Sequence, residues 1–260
     1  MTNKYKIVLL GSGNVAYHLA EMLKRSDINI YQVYNINKKS GEKLAKKHNS
    51  SFTNNINEIV TDADLYIIAI KDNFIKNIID KLRINKGIVI HTSGTTDINV
   101  FSNKFENFGI LYPLQTFTKE IELNYNEIPF LIEANNSKTL EFIDSIASSI
   151  SKNVINTSSE QRKSIHISAV FACNFTNYFY SIADDLLEKQ NLSFDLLKPL
   201  IKETTRKAIE SKPKENQTGP AKRKDLNVIN KHLKALEENK EIQKLYGTIS
   251  EMIINSNSDI

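Results

Sequence analysis

The sequence predicts an α/β domain with a mainly parallel sheet, followed by an all-α domain. Up to about residue 156, short apolar runs typical of buried strands alternate with segments of helical periodicity, and this alternation indicates βα units. After "NVINTSSEQRKS", residues 153–164, four helical segments follow without a strand pattern. We therefore predict two domains, residues 1–156 and 157–260.

The first domain is predicted to alternate strands with helices. The predicted strands lie in "YKIVLL", "NIYQVYN", "ADLYIIAIKD", "KGIVIHTSG", "FGILYPL" and "IPFLIEA". Each is a short run of apolar, often β-branched residues bounded by glycine or polar residues. The predicted helices are "NVAYHLAEMLKR", "KSGEKLAKKHN", "NFIKNIIDKL" and "SKTLEFIDSIASSI", in which apolar residues recur at helical spacing.

The second domain is predicted to consist of helices at about residues 159–189 and in "FDLLKPLIKETTRKAIES", "LNVINKHLKALEENK" and "EIQKLYGTISEMIIN". Pro199 is expected to kink the second of these or to mark a boundary. In the Lys-rich connection before the third helix, Gly219-Pro220 looks like a cap followed by proline at the first helical position. Asp225 and His232 lie seven residues apart, on one face of that helix. The connection is interpreted as a linker or as a segment that closes over a site.

Composition and charge exclude several classes of protein. The 260 residues include 34 basic and 30 acidic ones, a net charge of only +4, so we expect no nucleic-acid groove. No apolar run reaches the roughly 20 residues of a membrane helix, and the first residues lack the pattern of a signal peptide. The single cysteine, Cys173, excludes an internal disulfide and is expected to be a buried structural thiol. We expect a soluble cytoplasmic protein without a metal site.

A glycine turn follows the first predicted strand, in "LLGSGNVA". Gly11, Gly13 and Ala16 fit G-x-G-x-x-A, in which the glycines permit a tight turn and the close approach of a diphosphate. The small third residue lets helix and strand pack closely. A preceding strand and a following helix are the context that this fingerprint requires, and they predict a Rossmann-type domain. The predicted cofactor contacts are Gly11, Ser12, Gly13, Asn14 and Val15. The alternative is a tight turn that joins the strand to the helix and binds no ligand.

The segment after the second strand, "VYNINKKS", predicts NADP in preference to NAD. An NAD-binding domain usually carries an acid here, about 20 residues beyond the glycine turn, for the ribose 2′-hydroxyl. This chain has Asn35 at that position, followed by Asn37, Lys38 and Lys39, so no carboxylate would repel a 2′-phosphate. These four residues are predicted cofactor contacts. The alternative for the two lysines is a solvated start of a helix.

Polar residues also follow three later strands. Ligands of such sheets bind beyond the carboxyl ends of the strands, so we expect these residues at the site. The predicted cofactor contacts are Ala69, Ile70, Thr92 and Ser93, with Lys71 and Asp72 beside them. The predicted substrate contacts are Tyr112, Gln115 and Thr116, and His91 is a candidate acid or base. The alternatives are local hydrogen bonding of His91 and helix capping by Thr92 or Ser93.

The first helix of the second domain is apolar except for one stripe of polar residues. His166, Asn174 and Asn177 fall at i, i+8 and i+11, and Lys163 extends the stripe backwards by nearly a turn. Because their neighbours are largely apolar, we expect these polar groups to be buried and to line a cleft. The alternative is that His166 only makes structural hydrogen bonds within the core.

These motifs together resemble a family of bacterial Rossmann-like oxidoreductases with an NADP-binding amino-terminal domain and a helical carboxyl-terminal domain of unknown function. The matching segments are "GSGNVAYHLA", "VIHTSG", "LYPLQTF", "SIHISAVFACNFTNYF" and "TGPAKRKDLNVINKHL", which span nearly the whole chain. More distantly, the architecture is similar to pyrroline-5-carboxylate reductase, deazaflavin-dependent NADP oxidoreductases and β-hydroxyacid dehydrogenases. The resemblance implies a homodimer formed through the helical domain. It does not extend to the Lys and Asn dyad of the β-hydroxyacid dehydrogenases, because Ile167 follows Lys163 at that spacing.

The predicted function is hydride transfer between NADP and a small C=O or C=N substrate. His166 is the first candidate for the general acid or base, because the ordinary pKa of histidine lies near neutral pH; His91 is the second. Asn174 is a further predicted catalytic residue. The residues expected to orient the substrate are Asn174, Asn177, Tyr112 and Gln115. The alternatives are a pyrroline-5-carboxylate-type imine reductase and a non-catalytic NADP-binding sensor or scaffold. A nucleic-acid interaction would rest on residues 222–224 alone, which are more simply a solvated turn.

Overall fold

The computed structural model describes residues 5–256, and its centre is one eight-stranded sheet. The strands are β1 (Ile7–Leu10), β2 (Ile30–Tyr34), β3 (Ser51–Thr53), β4 (Leu65–Ile68), β5 (Ile88–His91), β6 (Phe108–Pro113), β7 (Phe130–Ala134) and β8 (Val154–Asn156). Their order across the sheet is β3-β2-β1-β4-β5-β6-β7-β8. All neighbouring strands are parallel except β6 and β7.

This strand order confirms the predicted Rossmann-type sheet. The first six strands are arranged as in the doubly wound dinucleotide-binding fold, and the order reverses between β1 and β4. Leu10, Ile68 and His91 are aligned across β1, β4 and β5, so the carboxyl ends of these strands form one edge. The two strands that the sequence patterns did not predict, β3 and β8, are three-residue strands at the two edges of the sheet.

Helices cover both faces of the sheet. The helices of this part are α1 (Asn14–Arg25), α2 (Lys38–Lys47), α3 (Asp72–Lys81) and α4 (Ser137–Ile150). Successive residues of β1 point to opposite faces, so that Leu9 packs in the core formed with α1, α2 and α4, while Leu10 packs in the core formed with α3. The run of apolar residues in β1 is therefore explained by burial on both sides.

All regular structure described after Asn156 is helical, as predicted. The helices are α5 (Ser159–Ala169), α6 (Thr176–Glu188), α7 (Lys198–Glu210), α8 (Leu226–Ala235) and α9 (Lys240–Ser256), and a π-helical segment, Val170–Phe175, joins α5 to α6. The chain divides into two compact units, Met1–Tyr178 and Phe179–Ile260. The predicted boundary after residue 156 coincides with the end of β8, whereas the division between the units falls within α6. Within residues 5–256, every helix is too short or too polar to cross a bilayer.

Three local expectations can be compared with the structure. Pro199 stands in the first turn of α7, so it marks a boundary. Gly219-Pro220 does not begin a helix, because a turn follows it and the Asp225 side chain caps α8 by accepting a hydrogen bond from the Val228 backbone N–H. Cys173 is exposed, so the expectation of a buried thiol was wrong. The apolar neighbours of Cys173 are themselves largely on the surface of the chain.

Candidate active site

The glycine turn has a backbone that only glycine can adopt. Gly11 has a φ of +124°, and a Cβ at this position would lie 2.2 Å from the Ala69 carbonyl oxygen. The Gly11 N–H donates to the Tyr34 carbonyl at 2.8 Å. The turn is thereby held against the ends of β2 and β4, and a side chain at position 11 would push these strands apart.

The second glycine leaves open space at the start of α1. A Cβ on Gly13 would meet nothing within 4 Å, and no side chain among the described residues caps α1 at this position. The first-turn N–H groups of α1 are therefore available to an anion. Ala16 is wholly buried, as the close packing of helix and strand requires. These features fit the diphosphate of a dinucleotide, which Gly11, Ser12, Gly13, Asn14 and Val15 were predicted to hold.

The end of β2 is a network of uncharged hydrogen bonds. The Asn37 side chain caps α2 by accepting from the Ser40 N–H at 3.0 Å, and Asn35 Nδ2 donates to the Asn37 carbonyl at 2.8 Å. Ser12 Oγ donates to Ser40 Oγ at 2.9 Å, which joins the glycine turn to α2. Both lysines that follow Asn37 are exposed, and the first of them, Lys38, lies 3.8 Å from Glu42.

At the end of β5, hydroxyl groups gather around one carboxylate. Asp72, in the first turn of α3, accepts hydrogen bonds from Ser93 Oγ at 2.7 Å and Thr95 Oγ1 at 2.6 Å. Ser93 Oγ also accepts from the N–H groups of Thr95 and Thr96. Ser93 therefore caps the turn after β5. Thr92 is buried, and Ala69 presents its backbone carbonyl to the glycine turn.

His91 lies in the core beneath this edge. Its ring is wholly buried and stacks on Phe101, with ring centroids 5.4 Å apart. Burial lowers the pKa of His91 to about 3, and the positive charge of Arg162 adds to the decrease. Nδ1 accepts from the Ser93 N–H at 3.1 Å. A histidine held neutral in this way is poorly suited to gain and lose a proton near neutral pH, which favours His166 for that role.

His166 and Tyr112 form the pair on which the candidate site is built. Tyr112 Oη lies 2.9 Å from His166 Nδ1, which brings α5 to the end of β6. Gly94 packs against the pair, because a Cβ on this glycine would lie 2.6 Å from His166 Nδ1 and 2.9 Å from Tyr112 Cζ. Sequence patterns did not single out Gly94, although it ends the motif "HTSG". The sequence did contain an indication of this close packing, because Gly94 directly follows polar residues at the end of a predicted strand.

The surroundings of Tyr112 favour the protonated form of its phenol. Burial raises the pKa of the phenol, the negative charge of Asp72 adds to the increase, and the positive charge of Arg162 opposes it. The phenol is therefore a hydrogen-bond donor at neutral pH. When it donates to Nδ1 of a neutral His166, the ring carries its own proton on Nε2. The pair can thus present an N–H donor to a substrate.

Arg162 holds the helix that carries His166. Its side chain is wholly buried and donates to the Glu133 carboxylate in β7, to the Thr96 carbonyl at 2.6 Å and to Ser159 Oγ at 3.0 Å. His166 lies one helical turn further along α5. Sequence analysis missed both members of this ion pair. The indication was Glu133 itself, a charged residue in the otherwise apolar strand "IPFLIEA".

The remaining predicted site residues do not join the Tyr112–His166 pair. Asn174, within the π-helical segment, and Asn177, beyond it, are exposed, so their expected burial was wrong. Gln115 and Thr116 are exposed in the connection after β6. Lys163 lies 3.5 Å from Asp97. As contacts of a substrate, the two asparagines, Gln115 and Thr116 remain predictions.

Two families match the chain. Residues 6–93 match the NADP oxidoreductases described as coenzyme F420-dependent, and residues 128–253 match a domain of unknown function, DUF2520. Among solved structures, a candidate NADP oxidoreductase from Bacteroides fragilis is 42% identical with a TM-score of 0.89, over 96% of this chain and 98% of that one. This similarity extends over both matched regions. No curated protein is significantly similar to the chain.

More distant structures share the fold. Protein TM1727 from Thermotoga maritima is 20% identical, with a TM-score of 0.72 over 97% of this chain and 99% of that one. A 1-pyrroline-5-carboxylate reductase from Streptococcus pyogenes is 13% identical, with a TM-score of 0.62 over 98% and 99% of the two chains. The shared fold extends over nearly the whole of each chain.

Proposed function

Because the chain belongs to the NADP oxidoreductase family that joins the matched dinucleotide domain to a DUF2520 domain, we propose that it transfers hydride between a nicotinamide dinucleotide and a small C=O or C=N substrate. The observation that carries the proposal is the hydrogen bond between Tyr112 and His166. Tyr112 is the second-to-last residue of β6, near the carboxyl end of that strand, on the edge to which the glycine turn also belongs. Reduction of such a double bond requires a proton donor on the sheet edge where the dinucleotide binds.

The dinucleotide would supply the hydride, and the chain would supply binding and a proton. Gly11 and Gly13 shape the turn for the diphosphate, and the start of α1 offers its N–H groups. In its protonated form, His166 would give the substrate a proton from Nε2 and become neutral, while the Tyr112 hydroxyl stays bonded to Nδ1 and holds the orientation of the ring. Gly94 leaves the room that this orientation needs.

We propose NADP as the preferred dinucleotide. Residues 35–40 of the β2–α2 turn contain two lysines and no carboxylate, and the side chains of Asn35 and Asn37 are uncharged. A 2′-phosphate would therefore meet no negative charge at this turn, whereas an NAD-binding turn usually places an acid there. The comparison of NADPH with NADH affinity tests the preference, and equal affinities would contradict it.

The experiment for the reaction is a substrate screen with matched variants. His166→Ala should nearly abolish oxidation of NADPH by ketones and imines, whereas NADPH affinity should be unchanged. His232→Ala is the control, since His232 also lies beside a tyrosine, 2.7 Å from Tyr246 Oη, but on α8. Tyr112→Phe should lower turnover because it frees the His166 ring. A His166→Ala protein with full turnover at saturation would overturn the role.

The same screen separates the alternatives. Turnover confined to cyclic imines would identify a pyrroline-5-carboxylate-type imine reductase. Dinucleotide binding without turnover on any ketone, imine or hydroxyacid would instead support a sensor or scaffold and would contradict the proposed reaction. Binding of neither dinucleotide would contradict all three.

We also propose a homodimer formed through the helices. Large apolar side chains lie on the surface of the α5–α6 region: Ile167, Phe171, Phe175 and Tyr178. Such a cluster is unusual on a monomer, and a second copy of the same helix would cover it. Phe171→Asp should convert a dimer into a monomer in light scattering. A wild-type protein that is monomeric at micromolar concentration would contradict the proposal.

A further inference from the structure

A basic cavity lies beside the glycine turn. It has a volume of about 310 Å³ and is bounded by Ser12 of the turn, by α1 and α2, and by Lys119 and Glu120 from the connection between β6 and β7. The predicted functional residues include only Ser12 from this lining. The cavity therefore adds a feature next to the dinucleotide turn that the proposed reaction does not explain.

One face of α2 supplies the charge on a wall of the cavity. Ser40, Lys43 and Lys47 fall at i, i+3 and i+7, and all three line the cavity. Lys46 and Lys119 also line it, so that four lysines and one acidic residue, Glu120, border the cavity; Lys47 is itself paired with Glu21 at 2.9 Å. This excess of positive charge, together with the hydroxyl groups of two serines, suits a phosphate monoester.

The connection after β6 closes the cavity as a strap. Asn14 Nδ2 donates to the Phe117 carbonyl at 2.8 Å, and the buried His18 ring lies with Nε2 2.8 Å from the Thr118 carbonyl. Glu120 then reaches Lys43, with 3.3 Å between Oε1 and Nζ. Both members of this ion pair are exposed, so the pair is weak and an anion can compete for the lysine.

The position of the cavity indicates which phosphate it receives. The Ser12–Ser40 hydrogen bond, at 2.9 Å, joins the glycine turn to the first turn of α2, shortly after the end of β2. In sheets of this type the adenosine ribose of a dinucleotide lies over the end of β2. We propose that the cavity receives the 2′-phosphate of NADP and that Lys43 and Lys119 bind it, with the hydroxyls of Ser12 and Ser40. This inference rests on the proposed function and deepens it.

The proposal differs from the lysine pair that the sequence predicts. Lys38 lies 3.8 Å from Glu42 on the exposed first turn of α2, and Lys39 is also exposed; neither lines the cavity. Lys43 lies on the cavity face one turn beyond Ser40. Lys38 and Lys39 are therefore matched controls, since all three lysines are exposed residues of the same helix.

The experiment measures dissociation constants for NADPH and NADH in four lysine variants. Lys43→Ala and Lys119→Ala should each weaken NADPH binding about tenfold, which corresponds to about 1.4 kcal/mol, and leave NADH binding unchanged. Lys38→Ala and Lys39→Ala should change neither constant by more than about twofold. Glu120→Gln should strengthen NADPH binding, because it removes the carboxylate that competes for Lys43. A misfolded variant could not produce this gain.

Each other outcome has a distinct meaning. A loss of NADPH affinity in Lys38→Ala or Lys39→Ala but not in Lys43→Ala would overturn the cavity assignment. Equal affinity of the wild-type protein for NADPH and NADH would also overturn the cavity assignment, but it would not contradict the proposed hydride transfer. Failure to bind either dinucleotide would overturn the proposed function itself. As a probe of the phosphate alone, 2′-AMP should displace NADPH at lower concentration than 5′-AMP, and equal displacement would contradict the assignment.

Discussion

The wholly buried guanidinium of Arg162 donates to the carboxylate of Glu133, and this ion pair ties α5 to β7. A third hydrogen-bonded group, Ser159, donates its hydroxyl and its N–H to the same carboxylate. His166 lies on the next turn of α5, so its distance from Tyr112 depends on how firmly the first turns are held. The stability of the fold and the geometry of the Tyr112–His166 pair therefore depend on the same buried charge pair.

Glu133→Gln should destabilise the protein strongly, because it leaves the Arg162 charge buried without a counter-charge. We expect a loss of about 3–5 kcal/mol in the free energy of unfolding, measured by urea denaturation. The control is Glu203→Gln on α7, where Glu203 lies 2.9 Å from Arg206 on the surface. That exposed pair is screened by solvent, so its loss should change the free energy of unfolding far less. Equal losses in the two variants would contradict the importance of the buried pair.

Gly94→Ala should remove activity without unfolding the protein. The added methyl group would overlap His166 Nδ1, at 2.6 Å, and the ring would have to move away from Tyr112. A shift of about 1 Å in a catalytic group can lower turnover about 100-fold. NADPH affinity and circular dichroism should be unchanged. Gly247→Ala in α9 is the control, because its Cβ would meet only Leu233 at 3.7 Å. Normal turnover in Gly94→Ala would contradict the pair's role.

The sequence predicted the fold more fully than the site. Short apolar runs identified six of the strands. A strand that is buried on both faces, such as β4, is apolar at every position and is therefore easy to recognise. The two missed strands have three residues each, too few for periodicity to distinguish them from loops. The glycine turn could be predicted because its requirements are local: a left-handed backbone at Gly11 and space at Gly13.

The site depends on contacts between distant segments, which local patterns do not give. Tyr112 and His166 were each singled out, one at a strand end and one on a polar stripe, but their pairing across 54 residues was not predicted. The burial of Arg162 has no local indication in the sequence, because a charged residue in the first turns of a helix usually faces solvent. The apolar composition around Phe171 predicted burial, whereas a single chain leaves that surface exposed.

The two glycines of the turn should respond differently to alanine. Gly11→Ala should destabilise folding, by roughly 2 kcal/mol or more, because it combines a left-handed backbone with overlap at Ala69. Gly13→Ala should leave the melting temperature of the ligand-free protein unchanged, since the new methyl group meets open space. It should nevertheless weaken NADPH binding about tenfold or more by occupying the approach of the diphosphate. Unchanged NADPH affinity in Gly13→Ala would show that the open space is not a phosphate site.

His91 should make the protein sensitive to mild acid. Its pKa is about 3 in the folded chain and near 6.5 when unfolded, so between these values the unfolded state binds the additional proton. The free energy of unfolding should therefore fall as the pH decreases below about 6.5, by up to about 1.4 kcal/mol per pH unit from this group.

The variant that tests this prediction is His91→Asn, which lacks the titrating ring and can still accept a hydrogen bond from the Ser93 N–H. The variant should be less stable at pH 7 because it loses the stacking on Phe101, and the difference in unfolding free energy from the wild type should narrow steadily toward pH 4. Carboxylates titrate in both proteins and cancel in this difference, so a constant difference from pH 7 to pH 4 would show that His91 is not held neutral by burial.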